Sequence, residues 1–475
     1  MSKISFGTDG WRAVMCEDFI FSNVRIVSQA ICNYVKAKED PKKGLVIGYD
    51  TRFFSDKFAL AAATVCAANG IPVYLTIEDA PTPVVAFSVK DKKTAGAIMF
   101  TASHNPSIYN GMKFIPRYAG PAMPDITGVI EQEISRITEK DINIMPAGEA
   151  EKQKLITRFD PSAPYIKQVS SIINLNAIKK GKLKIILDPL YATGRKYLKS
   201  ILAQVCDAQM IHGETDPYFG GLNPEPIGVN LVPLTEAVKG KAHLGLATDG
   251  DADRFGVVDF DGTYINANQV LSLLLVHLIK NYKWKGPVAR TVATTHLLDR
   301  IAKANDMEVF EYPVGFKYIG EAIREKGCIM GGEESGGFSI KGHIPEKDGI
   351  LAVSLIAEMR AIEGKSLGVL YNDIMKKYGP AYSQRVDIHA PDELKKKVFT
   401  ELEKNPWESV AGKKVEKTEK IDGVKFILED GSWILMRPSG TEPIVRVYTE
   451  SSSPEEMAKI SQEGVSLFSV QEVKA

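Results

Sequence analysis

Two short stretches of the chain concentrate the residue types that chemistry needs. In Asp249-Gly-Asp-Ala-Asp-Arg254 three carboxylates stand at i, i+2 and i+4, with a glycine that permits a tight turn. Carboxylates so spaced can converge on one ion, and oxygen-only ligands select a hard cation, with Mg²⁺ at about 2.0 to 2.1 Å the natural occupant. A twelve-residue calcium loop starting at Asp249 would need a glutamate in its last place, where Phe260 stands. A solvated acidic turn is the plain alternative. Against it, the apolar run 243–248 leads directly into the aspartates, and three like charges there are costly without a counter-ion.

The second stretch is Phe100-Thr-Ala-Ser-His-Asn-Pro106, which ends the apolar run that begins at Ala95. Ser103 can be a turn or cap residue, a hydrolase nucleophile, or a carrier of phosphate. The chain has no Gly-x-Ser-x-Gly elbow, and a histidine adjacent in sequence has the wrong geometry for a triad. Mg²⁺ usually takes a phosphate oxygen from its substrate, so a phosphoryl group on Ser103 would complete the site that the aspartates begin. His104 and Lys113 then have a use as nearby donors or proton-transfer groups.

Other loops add weaker signals. Arg437-Pro-Ser-Gly-Thr441 combines a guanidinium, the hydroxyls of Ser439 and Thr441 and the bare backbone of Gly440. That composition suits a phosphate cradle without a Walker lysine, or a polar hairpin. Glu333 and Ser335, in Glu333-Glu-Ser-Gly-Gly337, suit vicinal sugar hydroxyls, or form an ordinary acidic turn. The turn Gly7-Thr-Asp-Gly-Trp-Arg12 says little alone.

The elements that must carry these loops alternate between strand-like apolar runs and amphipathic stretches, the pattern of parallel α/β layers. Strands are predicted at 45–48, 71–76, 95–100, 184–187, 243–248, 288–293, 308–312 and 328–330, and helices at 55–69, 296–304 and 317–325. Three of the strands each deliver one of the polar loops, as though one fold were used three times. Ligands of parallel sheets bind beyond the carboxyl ends of the strands, so the three loops are expected to wall one central cleft. From about residue 382 the pattern changes to closely spaced strands and two helices, an α+β domain with an antiparallel sheet. The expected division is 1–159, 160–260 and 261–380 for three similar α/β domains with mixed, largely parallel sheets, and 381–475 for the last.

Totals agree with this division: 475 residues exceed one ordinary core, and 44% hydrophobic with 25% charged residues is a soluble composition. Lys plus Arg (59) balances Asp plus Glu (59), so no net field draws nucleic acid or an anionic membrane. The apolar run 270–279 is about half the ~20 residues that span a bilayer and reads as a buried helix. Five dispersed cysteines without a Cys-x-x-Cys pair fit reduced thiols, and the first residues lack a signal-peptide core, so a cytoplasmic location is expected.

Taken together and in this order, the four loops resemble those of the α-D-phosphohexomutase family of phosphoglucomutases and phosphomannomutases, along the whole chain. The resemblance implies that Ser103 carries the phosphoryl group, that Ser103, Asp249, Asp251 and Asp253 hold Mg²⁺, and that Glu333 and Ser335 hold the sugar. It implies that Arg437, Ser439, Gly440 and Thr441 anchor the non-reacting phosphate, that Arg12 faces the phosphoserine, and that Arg254 offsets charge on the transferring group. His104, Lys113 and Lys317 become the candidate acids and bases. Glucose 1-phosphate and glucose 6-phosphate would interconvert through a bound glucose 1,6-bisphosphate, which would also act as activator. Glu334, where phosphoglucosamine mutases have glutamine, and Gly337, where dual enzymes have histidine, resemble the phosphoglucomutase branch. Mannose phosphate is the first alternative, and phosphoglucosamine mutase or glucose 1,6-bisphosphate synthase activity follows. The expected partners are small sugar phosphates, in a monomer or homodimer.

Overall fold

The computed structural model describes residues 4–7, 9–439 and 443–468. The chain divides into two compact units, one comprising residues 1–270 and 315–369, the other residues 271–314 and 370–475.

The first unit contains a six-stranded mixed sheet in the order Trp11–Val14, Tyr109–Pro116, Gly96–Phe100, Leu45–Tyr49, Val73–Thr76, Ile156–Phe159. The last four strands are mutually parallel, and the first two run antiparallel to their neighbours. Leu45–Tyr49 and Gly96–Phe100 are almost wholly apolar because both faces are covered. Leu45, Ile47, Ile98 and Phe100 join one core with Ile31 and Val35 of the helix Phe21–Lys38 and Phe58 and Val65 of the helix Ser55–Ala68. The helix Thr82–Lys92 packs on the opposite face, so closely that a Cβ on Gly48 would lie 2.3 Å from Val85. Each fully buried Leu, Ile, Val or Phe of these layers contributes about 1.5 to 3 kcal/mol.

A five-stranded sheet follows in the order Tyr264–Ile265, Phe255–Asp259, Leu244–Thr248, Lys184–Asp188, Asp207–Met210, in which the last three strands are parallel. The helices Val232–Val238 and Gly194–Leu202 flank it. The same unit holds the hairpin Met330–Gly332 with Phe338–Ile340, the helix Phe316–Glu325 and the buried helix Gly349–Glu363. The third loop-bearing strand thus begins two residues later than its apolar run suggests. The apolar run 270–279 lies in the helix Ala267–Asn281. Among the described residues no helix is long and apolar enough to cross a membrane. All five cysteines are free.

The second unit has a parallel pair, Val288–Thr291 and Val309–Tyr312, and a wholly antiparallel six-stranded sheet. Its order is Tyr382–His389, Ile444–Ser451, Trp433–Pro438, Val424–Leu428, Lys413–Glu419, Ser409–Val410, with the helices Asp392–Lys404 and Pro454–Ser466. Val292, Ala293, Trp433, Leu435 and Tyr448 form a shared apolar contact between the two parts. At its edge the buried Lys425 ammonium donates to the Val292 carbonyl at 2.8 Å, to His296 Nε2 at 2.8 Å and to Glu311 Oε1 at 2.9 Å, 4.6 Å from the Trp433 ring centroid. Burial, with Arg290 and Lys425 alongside, holds the His296 pKa well below the usual histidine value, so its neutral ring accepts from the lysine. Arg290 completes the network, gripping Asp299 at 2.6 and 2.8 Å and Glu311 at 2.5 Å.

Removing one partner of such a network leaves its neighbours unpaired. Lys425→Met should therefore cost about 3 kcal/mol. Calorimetry should show an unfolding transition displaced to lower temperature, and an unchanged thermogram would mean that the ammonium is replaced there at no cost.

Candidate active site

The strand Leu244–Thr248 carries the chain, fully buried, to Asp249. There the backbone turns tightly, with Ala252 N donating to Asp249 O at 3.0 Å and Ala252 at φ +54°. Arg254 N then donates to Asp249 Oδ1 at 3.0 Å, and the chain returns through Phe255–Asp259. Asp249, Asp251 and Asp253 are all buried, and one carboxylate oxygen of each lies within 4.8 Å of the others. The i, i+2, i+4 spacing thus does converge.

Counter-charge comes from two buried lysines. Lys113, on the strand paired with the one that delivers Ser103, meets Asp251 Oδ2 at 2.9 Å, Asp253 Oδ2 at 3.0 Å and Asp9 Oδ2 at 3.0 Å. Lys347 meets Asp9 Oδ2 at 2.9 Å, Asp253 Oδ2 at 3.2 Å and Glu346 Oε1 at 3.3 Å. Thr82 Oγ1 donates to Asp251 Oδ2 at 2.5 Å. Burial opposes ionisation of Asp251, but Lys113 and the Thr82 hydroxyl outweigh it and hold this carboxyl well below the usual range. Asp249 goes the other way, raised by burial and by the charges of Asp251 and Asp253. Burial likewise disfavours charge on Lys113 and Lys347, and the surrounding carboxylates more than offset it in both.

Two oxygens remain. Among the described residues Asp251 Oδ1 and Asp253 Oδ1 are buried and accept no hydrogen bond. Orphaned carboxylate oxygens in an all-oxygen cluster fit a divalent hard cation such as Mg²⁺.

Ser103 meets this cluster directly. Its Oγ donates to Asp249 Oδ2 at 2.8 Å and lies 3.4 Å from His104 Nδ1. A Cβ on Gly250 would stand 2.5 Å from the Ser103 carbonyl, so the residue after Asp249 must be glycine for the two loops to close. Arg12, on the edge strand Trp11–Val14, reaches the serine loop through Asn105 Oδ1 at 2.6 Å. The sugar-loop candidate is close by: Gly337 bridges Arg254, and Glu333 Oε1 accepts from Gly315 N at 2.8 Å. Burial, with Glu334 adding to it, pushes the Glu333 pKa up to about 7. Lys317, in the first turn of the helix Phe316–Glu325, is half-buried, and burial lowers its pKa while Asp9 pulls the other way. Ser335 stands in the same turn as Glu333, partly exposed.

In the other unit Arg437 Nε donates to Asp422 Oδ2 at 2.7 Å, an oxygen that also takes Val314 N at 3.0 Å. Ser439 is buried and its N donates to Ile444 O at 2.9 Å. Gly440 and Thr441 lie outside the described residues.

Sequence reasoning missed Asp9, Thr82 and Lys347. Asp9 stood in the quoted turn next to Arg12, with nothing to show that its carboxylate turns inward. Lys347 belongs to Glu346-Lys-Asp348, a charged triplet with the look of surface. Its only local signal is the helix that Asp348 caps, by accepting from Leu351 N at 2.9 Å.

The chain matches known proteins domain by domain. Residues 3–141, 163–262 and 266–378 match the descriptions of phosphoglucomutase/phosphomannomutase alpha/beta/alpha domains I, II and III, and residues 394–465 match the C-terminal domain of the same family. A phosphoglucomutase/phosphomannomutase of Thermococcus kodakarensis is 29% identical over 98% of this chain and 99% of its own. A Pyrococcus furiosus protein named a probable phosphoglucosamine mutase is 32% identical over 96% and 95%. The solved structure of a candidate phosphomannomutase from Thermus thermophilus superposes with a TM-score of 0.85 at 31% identity, covering 98% of this chain and 99% of that one. With four matched domains and relatives along its full length, the chain belongs to the phosphoglucomutase/phosphomannomutase family of the α-D-phosphohexomutase superfamily, enzymes that move a phosphoryl group between two positions of one sugar.

Proposed function

We propose that the enzyme interconverts glucose 1-phosphate and glucose 6-phosphate, with phosphorylated Ser103 as the carrier. The observation that supports this best is the 2.8 Å bond from Ser103 Oγ to Asp249, beside two orphaned aspartate oxygens. Phospho-Ser103 gives its phosphoryl group to a hydroxyl of the bound monophosphate, whose proton passes to a nearby base, and a glucose 1,6-bisphosphate results. After the bisphosphate turns over, Ser103 Oγ takes back the other phosphoryl group. Asp249, Asp251 and Asp253 would hold Mg²⁺, which when bound supplies positive charge to the phosphoryl oxygens. Arg12 and Arg254 add their own charge, and offsetting charge is the main demand of phosphoryl transfer.

Lys113 is held charged by three carboxylates, which suits it to keep the aspartates in place. His104, 3.4 Å from Ser103 Oγ, and Lys317, whose pKa is depressed, are better suited to move protons. Glu333 and Ser335 hold the sugar hydroxyls, while Arg437, Ser439, Gly440 and Thr441 anchor the distal phosphate, with Asp422 orienting the guanidinium through Nε. Glucose 1,6-bisphosphate is the expected activator; a fungal relative of the same fold was solved in complex with it.

Glucose is favoured by Glu334 and Gly337. Glucosamine phosphate is the second reading, because several relatives at 30 to 32% identity are named as its mutases. Mannose phosphate differs at neither hydroxyl that Glu333 and Ser335 would read. A coupled assay with the three 1-phosphates and bisphosphate present tests the choice; a kcat/KM for glucosamine or mannose 1-phosphate above that for glucose 1-phosphate would overturn it.

Incubation with glucose 1,6-bisphosphate should add one phosphate to Ser103, seen by intact mass and peptide mapping. Ser103→Ala labelled equally at another residue would remove the carrier role. Asp251→Asn should weaken Mg²⁺ binding by calorimetry and lower kcat roughly a hundredfold to a thousandfold, the range for losing one stabiliser of transition-state charge. Full activity in excess chelator would count against the metal.

Glu333 also predicts a pH dependence of stability. A carboxyl whose folded pKa is about 7, above its unfolded value, lends stability that is complete below the unfolded value and is lost as pH rises through about 7. Urea midpoints should therefore fall from pH 5 to pH 8 more in wild type than in Glu333→Gln. Equal falls would show that Glu333 ionises normally in the fold.

A further inference from the structure

Arg52 is a buried cation that the chemistry above does not use. It lies in Tyr49-Asp-Thr-Arg52, just beyond the strand Leu45–Tyr49. That strand runs parallel to Gly96–Phe100, with Tyr49 opposite Phe100, so the Arg52 loop and the Ser103 loop leave the sheet side by side. The side chain is buried, and each of its five guanidinium hydrogens has an acceptor. Nε donates to Asp50 Oδ2 at 3.1 Å. Nη1 donates to the carbonyls of Pro106 at 2.8 Å and Tyr109 at 3.0 Å. Nη2 donates to the carbonyls of Ser103 at 2.7 Å and Asn105 at 2.6 Å. Asp50 is itself fixed by Ser55 Oγ at 2.7 Å and by Arg52 N at 3.0 Å.

One side chain thus gathers four carbonyls of the serine loop. Ser103 needs this, because its φ of +52° is left-handed, a conformation that residues with a Cβ disfavour. Its carbonyl is held by Arg52, its N–H by Thr101 Oγ1 at 2.8 Å and its Oγ by Asp249. The guanidinium also lies over the ring of the buried Phe219, 5.0 Å from its centroid. Five residues on, the Pro224 carbonyl accepts from Gly250 N at 3.2 Å, so the surface under Arg52 continues into the metal loop.

We propose that Arg52 is a positioning residue for phosphoryl transfer. It touches neither sugar nor transferring phosphate; its planar fork sets the path of residues 103–109 so that Ser103 Oγ stays against the aspartate triad. A lysine, with three donors around a point charge, cannot reproduce four carbonyl contacts in one plane. The proposal rests on Ser103 being the carrier.

The experiment uses the full-length enzyme with Mg²⁺, glucose 1-phosphate and glucose 1,6-bisphosphate, in wild type, Arg52→Lys and Arg52→Ala. Reads are kcat, KM, the rate of Ser103 phosphorylation by mass, and the thermal midpoint. Displacement of a reacting group by about 1 Å costs on the order of a hundredfold, so kcat and the labelling rate of Arg52→Lys should each fall about a hundredfold with KM within threefold of wild type. Guanidinium at low millimolar concentration should restore part of the Arg52→Ala rate, and ammonium at equal ionic strength should not. Wild-type kcat in Arg52→Lys would overturn the proposal, as would a KM that rises with kcat unchanged. A loss without guanidinium rescue that follows a lowered thermal midpoint would make Arg52 merely structural, and overturn it too. If Arg52→Ala does not fold, the kcat, KM and midpoint of Arg52→Lys decide alone. Wild-type enzyme that is not labelled at Ser103 would instead overturn the carrier reading.

Discussion

Three aspartates and a glutamate share two lysine ammonium groups in the interior of the first unit. Asp9, Asp251, Asp253 and Glu346 are arranged about Lys113 and Lys347, Asp249 stands beside Asp251 and Asp253, and Thr82 and Ser103 donate hydroxyl hydrogens to Asp251 and Asp249. A cluster of this kind is expensive, since desolvating each charge costs several kcal/mol and breaking any pair strands its partner. It therefore constrains everything that contributes to it. The N-terminal turn, the strand Tyr109–Pro116, the start of the helix Thr82–Lys92, the metal loop and the start of the helix Gly349–Glu363 must all arrive at one point. The apolar layers around Ile47, Ile98 and Leu246 supply the burial that makes this possible.

Glycine makes the approach close enough. A side chain at Gly349 would stand 2.2 Å from the Arg254 carbonyl, and Gly349 N donates to Ala252 O at 3.1 Å. Together with Gly250 this leaves the aspartate loop in backbone contact with segments before and after it in sequence. Its aspartates then face inward with little freedom, the preorganisation that the proposed phosphoryl transfer would need.

The second unit has its own buried charges, with a different character. Lys425, Arg290, Glu311 and Asp299 satisfy one another, and Lys425 has three acceptors around it. The network joins strands of the C-terminal sheet to residues 290–311 and has the properties of a fastening. The aspartate cluster differs in three buried oxygens without hydrogen-bond partners among the described residues, Asp251 Oδ1, Asp253 Oδ1 and Glu346 Oε2, and the two aspartate oxygens fit the proposed cation better than a closed structural ion network.

Much was legible beforehand. Unbroken apolar runs at 45–48, 95–100 and 243–248 located the buried strands Leu45–Tyr49, Gly96–Phe100 and Leu244–Thr248, because a strand covered on both faces must be apolar throughout. Strands Trp11–Val14 and Lys413–Glu419 were not legible: the first pairs with Tyr109–Met112, far along the chain, and the second, Lys-Lys-Val-Glu-Lys-Thr-Glu, pairs locally but is too charged to show an apolar pattern. The same division holds at the site. Ser103, Asp249, Asp251 and Asp253 stood out because local spacing and adjacent apolar strands already restrict what such residues can do. Asp9, Arg52, Thr82 and Lys347 look like surface residues in their own segments. Sequence by itself determined which loops concentrate polar residues at the ends of apolar strands; only tertiary structure decided which distant charges neutralise and position them, because ion pairing and carbonyl capture depend on separation in space, which one-dimensional spacing does not encode.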